Sequence, residues 1–227
     1  MNKKKIAGEK AVEYIKDGMI LGLGTGSTAY YMINKVGELV EKGMKLKAVA
    51  TSKSTEILAE ELKIPLVLID EVDKIDLAID GVDEIDREFN AIKGGGGALF
   101  REKIVANLAK KVIWIMDDSK LVENIGEFPL PVEILPYGYK HTIKKLENYS
   151  LNPIIRIKEN KIFITDNGNY IVDLHIGKPI NISDIYSKIS RIPGVLEIGL
   201  FINMCNFIIV GTNNEVKVIE NKIKNWY

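Results

Sequence analysis

The stretch from Asp80 to Lys103, DGVDEIDREFNAIKGGGGALFREK, brings carboxylates, a lysine and four consecutive glycines into one short span. A hydrophobic core has no use for that composition, whereas proton transfer does. A carboxylate moves a proton, a fixed cation offsets the charge that develops, and glycines let backbone N–H groups approach a ligand. The run IDLAID from Ile75 to Asp80 alternates toward a buried strand. Asp80 and Asp83 are therefore expected just past a strand's carboxyl end, the edge at which open α/β sheets bind ligands. From Ala98 the spacing turns helical, and Glu102 shares a row with Ala98, Val105 and Ala109, all small or apolar. Its carboxylate is expected not to face open water. Taken singly, these residues have a plainer reading: a solvated turn around the glycines and, at Arg101-Glu102-Lys103, a helix's wet face.

A second cluster is Gly22-Leu23-Gly24-Thr25-Gly26-Ser27-Thr28. It brings N–H groups and three hydroxyls to a helix N-terminus, where the dipole and unpaired donors favour a phosphate. Glycines at every second residue do not give the G-x-G-x-x-G dinucleotide spacing, and no Walker lysine follows. Plain packing is the alternative for such a turn alone. Thr51-Ser52-Lys53-Ser54-Thr55 offers further donors at the same edge and is read as a helix N-cap. Phosphate donors, carboxylates and a lysine at neighbouring strand ends suit a small phosphorylated substrate undergoing proton transfer beside a carbonyl.

The elements that must position these groups follow from periodicity. A helix over 5–16 leads to a short strand over 19–23, the glycine turn and a helix over 29–41. Strand and helix then alternate through 46–50, 55–62, 65–69, 75–80, the Ala98 helix and 111–116. This predicts an α/β fold with a mostly parallel, Rossmann-like sheet covered by helices on both faces. Near Pro129, Pro131 and Pro136 the pattern changes to strand 132–135, helix 139–149 and strand 154–158. A hairpin (162–165 with 170–175, turning at Asp166-Asn167-Gly168-Asn169), helix 182–190 and strand 195–201 follow. That is the β-α-β-β-α-β order of a small ferredoxin-like α+β domain. Phe207–Gly211 and the stripe Val216, Ile219, Ile223 are expected to return as a strand and a helix. The boundaries are then 1–129 with 207–227 for the catalytic α/β domain and 130–206 for the smaller one.

Composition narrows the function classes. The 227 residues are 46% hydrophobic and 27% charged, ordinary for a globular chain that buries a real core. Thirty-one basic residues balance thirty-one acidic ones, so no global field recruits nucleic acid or an anionic membrane. Cys205 is the single cysteine, and two histidines offer no zinc spacing, so no metal is expected. No segment reaches the roughly 20 apolar residues of a membrane span, and a cytoplasmic location is expected. The absence of glutamine with abundant isoleucine, lysine and glutamate fits a heat-adapted source and an AT-biased genome equally.

GLGTGST, DGVDE, IKGGGGAL and REK, followed by Asp118-Ser119-Lys120 and FPLPVE, stand in the order and spacing of the A type of ribose-5-phosphate isomerase, which this chain resembles over nearly its whole length. ITDNGNYIVD and IPGV extend the likeness; Val82 stands where an alanine is common, and the glycine run is one longer than in some members. The resemblance implies interconversion of D-ribose 5-phosphate and D-ribulose 5-phosphate in the non-oxidative pentose phosphate pathway, with no metal or organic cofactor. It implies that Glu102 shuttles a proton between C2 and C1 through a cis-enediolate. Thr25, Gly26, Ser27 and Thr28 would hold the phosphate, with Lys4 as a further contact. Asp80 and Asp83, in the segment Asp80-Gly81-Val82-Asp83, would contact sugar hydroxyls and assist ring opening. Lys93 and the N–H groups of Gly94, Gly95 and Gly96 would steady the enediolate oxygens, and Lys120 would complete the pocket. A homodimer or homotetramer is also implied.

Two rival classes fit the sequence less well. A sugar-phosphate-sensing regulator of the same fold needs an effector module, yet only 21 residues precede the phosphate loop and the smaller domain lacks a basic helix. A nicotinamide-dependent dehydrogenase is disfavoured by the loop spacing.

Overall fold

In the computed structural model, which describes residues 2–222, helix α1 (Lys3–Val12) opens the chain, capped by the Asn2 side chain, which accepts from Lys5 N. Strand β1 (Ile20–Leu23) runs through the glycine turn into α2 (Ser27–Glu41). Strand β2 (Lys47–Ala50), α3 (Lys53–Glu61) and β3 (Leu77–Gly81) continue the alternation. Two short strands, β4 (Glu84–Ile85) and β5 (Asn90–Ile92), precede α4 (Leu99–Leu108) and β6 (Val112–Asp117). Beyond them lie β7 (Leu130–Ile134), α5 (Tyr139–Asn148), β8 (Pro153–Ile155), β9 (Ile157–Lys158), β10 (Lys161–Ile162) and β11 (Tyr170–Leu174). The chain closes with α6 (Ile182–Ile189), β12 (Val195–Ile198), β13 (Leu200–Ile202), β14 (Phe207–Gly211) and β15 (Val216–Glu220).

The described chain divides into two units, one of residues 2–82, 101–121 and 203–222, the other of 83–100 and 122–202. The division differs from the sequence boundaries in grouping 83–100 and 122–129 with the smaller unit and 203–206 with the first; 83–100 goes there because β5 pairs with β13, Ala91 opposite Phe201.

The first unit is built on a six-stranded sheet in the order β15-β14-β6-β3-β1-β2, parallel except for β15. Its inner strands are near-continuous apolar runs, as strands covered on both faces require; Val112 to Met116 are all buried. The order reverses between β1 and β3, because the chain leaves β1 toward β2 on one side and returns to β3 on the other. A crevice at the carboxyl ends of the strands is expected at such a switch point.

Two expectations for this unit are corrected. The strand over 65–69 shrinks to one bridge, Leu66 beside Ala48, and Ile69–Glu71 forms a 3-10 turn. Pro65 has no N–H to donate, and Leu68 is exposed at this outer edge. The expected last helix is instead β15, antiparallel to β14. Thr212 reverses the chain within a few residues, its N–H bonding Glu215 O and its Oγ1 accepting from Asn214 N and Glu215 N. The β-branched residues that follow then pair directly with β14. Ile223 lies outside the described residues.

In the second unit β7, α5, β8, β11, α6 and β12 follow the β-α-β-β-α-β order, with an antiparallel sheet β12-β7-β11-β8. Its core includes Leu130, Val132, Leu146, Val172 and Ile189. The expected strand 154–158 breaks at Arg156, and β9 turns back into β10 through Glu159 and Asn160, both at positive φ as in a type I′ hairpin. The expected pairing of 162–165 with 170–175 is therefore reduced to the bridge Ile164–Tyr170. The expected strand 195–201 divides at Gly199, where a Cβ would collide with Lys93 O. Among the described residues, no helix is long and apolar enough to cross a membrane.

Candidate active site

At the switch point the loop after β1 and the end of β3 are tied together. Asp80 is buried, and its Oδ1 accepts from Thr25 N at 2.9 Å and Gly81 N at 2.7 Å. A side chain at position 24 would occupy the space of that carboxylate, so glycine is required there. One residue on, Gly26 takes φ +107° as the N-cap of the 15-residue α2, with no side-chain cap. The first N–H groups of that helix therefore stand at a positive dipole end, with Ser27 exposed and Lys4 Nζ donating to its Oγ at 2.9 Å.

The three hydroxyls divide. Ser27 is exposed, whereas Thr28 is buried in the first turn of the helix. Thr25 Oγ1 lies 2.7 Å from Thr51 Oγ1 and 2.8 Å from Ser52 Oγ, which ties the loops after β1 and β2 together. Ser52 also accepts from Thr55 N at 3.1 Å, the N-cap expected of it.

Glu102 sits in the first turn of α4, only 5% exposed, one turn before the buried Val105. Val105 packs where a Cβ on Gly22 of β1 would fall, which places this face of α4 on the sheet. Burial therefore favours the inward row read from sequence over the solvated face. The loop after β6 adds Lys120, at the end of a 3-10 turn capped by Asp117. Burial pushes the Asp117 carboxyl upward, but hydrogen bonds from Ser119 and the charges of Lys120 and Lys4 prevail and hold it below its ordinary value. Lys3 Nζ bonds Asp118 Oδ1 at 2.8 Å, so the start of α1 is fastened to this loop.

The second unit carries Asp83, Lys93 and the glycine loop. Asp83 Oδ2 accepts from Gly95 N at 2.7 Å, and a side chain at 95 would press on that carboxylate. Lys93 is 2% exposed, with its ammonium 5.3 Å from the centre of the Phe201 ring. Gly94 has φ +106° and Gly97 φ +79°, and Gly97 N closes the turn on Gly94 O at 2.9 Å. Opposite Asp83 lies a residue the sequence did not single out: Arg156 Nη1 donates to Gly94 O at 2.9 Å and Gly95 O at 3.1 Å. In a segment that reads as a strand, nothing in its spacing distinguishes it from a surface arginine.

Lys4, Thr25, Gly26, Ser27, Thr28, Asp80, Gly81, Val82, Glu102 and Lys120 thus belong to the first unit, and Asp83, Lys93, Gly94, Gly95 and Gly96 to the second. Among the described residues, no group of three or more His, Cys, Asp or Glu side chains is arranged to hold a metal ion.

The family model of ribose 5-phosphate isomerase A (phosphoriboisomerase A) matches residues 47–215. The chain belongs to the ribose 5-phosphate isomerase A family. Ribose-5-phosphate isomerase A of Bacillus mycoides is 49% identical over 218 residues, 96% of this chain and 99% of that protein. A D-ribose 5-phosphate isomerase solved in complex with phospho-erythronic acid is 40% identical with a TM-score of 0.91, over 97% of this chain and all of that one. The ribose 5-phosphate isomerase of Plasmodium falciparum is 38% identical with a TM-score of 0.91, covering 96% and 98% of the two chains. Membership in the ribose 5-phosphate isomerase A family makes the chain an aldose–ketose isomerase of ribose 5-phosphate.

Proposed function

We propose that this chain interconverts D-ribose 5-phosphate and D-ribulose 5-phosphate with Glu102 as the single base. Glu102 removes the C2 proton of the open-chain aldose, leaving a cis-enediolate; the hydroxyl proton passes from O2 to O1 and Glu102 returns its proton to C1, giving the ketose, and the reverse reaction uses the same steps. One carboxylate serves both carbons because they are adjacent and a cis-enediolate presents both on one face. Lys93 and the N–H groups of the Gly94–Gly96 loop stabilise the oxygen on which charge develops, which favours the transition state over the ground state. Asp80 and Asp83 hold sugar hydroxyls and assist ring opening. The turn of Thr25, Gly26, Ser27 and Thr28 binds the phosphate, aided by Lys4 and with Lys120 closing the site.

One observation carries this reading: a glycine-capped helix N-terminus joined through Thr25 N to the buried Asp80 at the sheet's switch point. This supports an anion held next to a carboxylate at the edge where such sheets bind ligands. The phospho-erythronic acid held by a related isomerase is a phosphorylated sugar acid, of the chemistry this site would take. The reading further includes a cytoplasmic role in the non-oxidative pentose phosphate pathway and a homodimer or homotetramer, without metal or organic cofactor. The test is a coupled assay for ribulose 5-phosphate formed from ribose 5-phosphate. No turnover by the folded protein would overturn it.

A further inference from the structure

We infer that Arg156 is a positioning residue for the reaction: it aims the N–H groups of Gly95 and Gly96 by holding the carbonyls of Gly94 and Gly95. The inference rests on the proposed role of that loop in stabilising the enediolate.

In a trans peptide the C=O of one residue and the N–H of the next point in opposite directions. Arg156 Nη1 takes Gly94 O at 2.9 Å and Gly95 O at 3.1 Å. The N–H groups of Gly95 and Gly96 must then face away from the guanidinium. One is seen to do so, since Gly95 N donates to Asp83 Oδ2 at 2.7 Å. The loop is gripped on its carbonyl side by Arg156 and on its N–H side by Asp83. Four glycines do not hold such an arrangement unaided, because each peptide plane can turn over at little steric cost.

The guanidinium is itself fixed. Its Nε donates to Asp173 Oδ2 at 2.8 Å and its Nη2 to Asp173 Oδ1, a two-pronged pair with a residue of β11. Its Cζ lies 5.9 Å from the centre of the Phe163 ring, and the same ring fills the space a Cβ at Gly97 would take. Arg156 stands where the expected strand breaks between β8 and β9, so the backbone leaves the sheet at the residue whose side chain reaches the loop. The pair is largely buried, at 15% and 19% side-chain exposure. Apolar residues of similar volume usually serve stability as well as a buried pair does, so stability alone does not account for it. A cation on a peptide oxygen also polarises that peptide and strengthens its N–H as a donor.

The test is steady-state kinetics on Arg156→Met, Arg156→Lys and Arg156→Ala beside Lys93→Ala. Far-UV circular dichroism checks folding, and inorganic phosphate and phospho-erythronic acid serve as inhibitors. Arg156→Met is expected to lower kcat roughly 10- to 100-fold, by analogy with the loss of a residue that orients a metal ligand. KM and phosphate inhibition should stay within about twofold, since the phosphate turn is not involved. Phospho-erythronic acid should bind more weakly in Arg156→Met, and Arg156→Lys should fall between it and the parent. Added guanidinium should restore part of kcat to Arg156→Ala and none to Lys93→Ala. A folded Arg156→Met with parental kcat, while Lys93→Ala is impaired, would overturn the inference alone. Loss of kcat together with phosphate inhibition and the native spectrum, unrelieved by guanidinium, would also overturn it, as a merely structural role. Normal kcat in Lys93→Ala would remove the reading of the loop on which the inference rests.

Discussion

At the residue scale, groups proposed to hold the substrate differ from groups proposed to act only as charge develops. Lys4 meets Ser27 at the start of α2; in the proposed role, remote from the reacting carbons, its interaction with a phosphate would be uniform between ground and transition states. Lys4→Met and Ser27→Ala are expected to raise KM, by roughly 10-fold for the charged contact, and to weaken inhibition by inorganic phosphate with kcat little changed. Lys93→Ala should show the reverse split, a fall in kcat with a smaller change in KM. Steady-state kinetics with phosphate as competitor check both; unchanged KM and phosphate inhibition in the first two variants would move the phosphate elsewhere. The burial of Glu102 was legible beforehand. The row Ala98, Glu102, Val105 announced a buried carboxylate, because helical spacing fixes which side chains share a face. The part played by Thr25 was not legible: its hydroxyl lies among those of Thr51 and Ser52, and such contacts between loops leave no local periodicity. Arg156 escaped for the same reason, since the loop carbonyls it holds are 61 and 62 positions away.

At the element scale, strands buried on both faces announced themselves as unbroken apolar runs, and the parallel sheet followed. The errors fall at the sheet's edges, where pairing is decided by turns and not by composition. Beside Pro65 one expected strand has almost no ladder, and after Thr212 a tight turn makes a strand of a segment with helical spacing. The start of β1 is tied to the residue before β3 by a carboxylate that can be tested. Asp76 accepts from Ile20 N at 3.0 Å and from Lys110 Nζ at 2.9 Å. The Ile20 bond first, then Lys110, lower its pKa below the ordinary 3.8 against a smaller upward push from burial. Between those two values the unfolded chain binds more protons than the native one, so stability rises with pH there. The contribution is complete above the ordinary carboxylate range and is lost as pH falls through the lowered value. Asp76→Asn should therefore cost roughly 1 kcal/mol at neutral pH, with the difference from the parent shrinking in acid. Urea unfolding across pH measures this, and a difference that does not depend on pH would contradict it.

At the scale of the whole molecule, the ferredoxin-like order of the smaller unit was readable because each helix and strand carried its own period. The grouping of 83–100 with that unit was not, since it depends on β5 meeting β13 across more than a hundred residues. With catalysis assigned to Lys93, backbone N–H groups and Glu102, exhaustive chelation is expected to leave the rate unchanged. Loss of activity restored by one divalent ion would point instead to a metal-polarised carbonyl. The central claim is that one buried carboxylate carries the proton between the two carbons, and Glu102→Gln tests it most directly by keeping the shape and removing the base. The predicted result, from steady-state kinetics on the folded variant, is a fall in kcat of at least about 100-fold with KM little changed. Near-normal turnover by Glu102→Gln would contradict the claim and pass the role to Asp80 or Asp83.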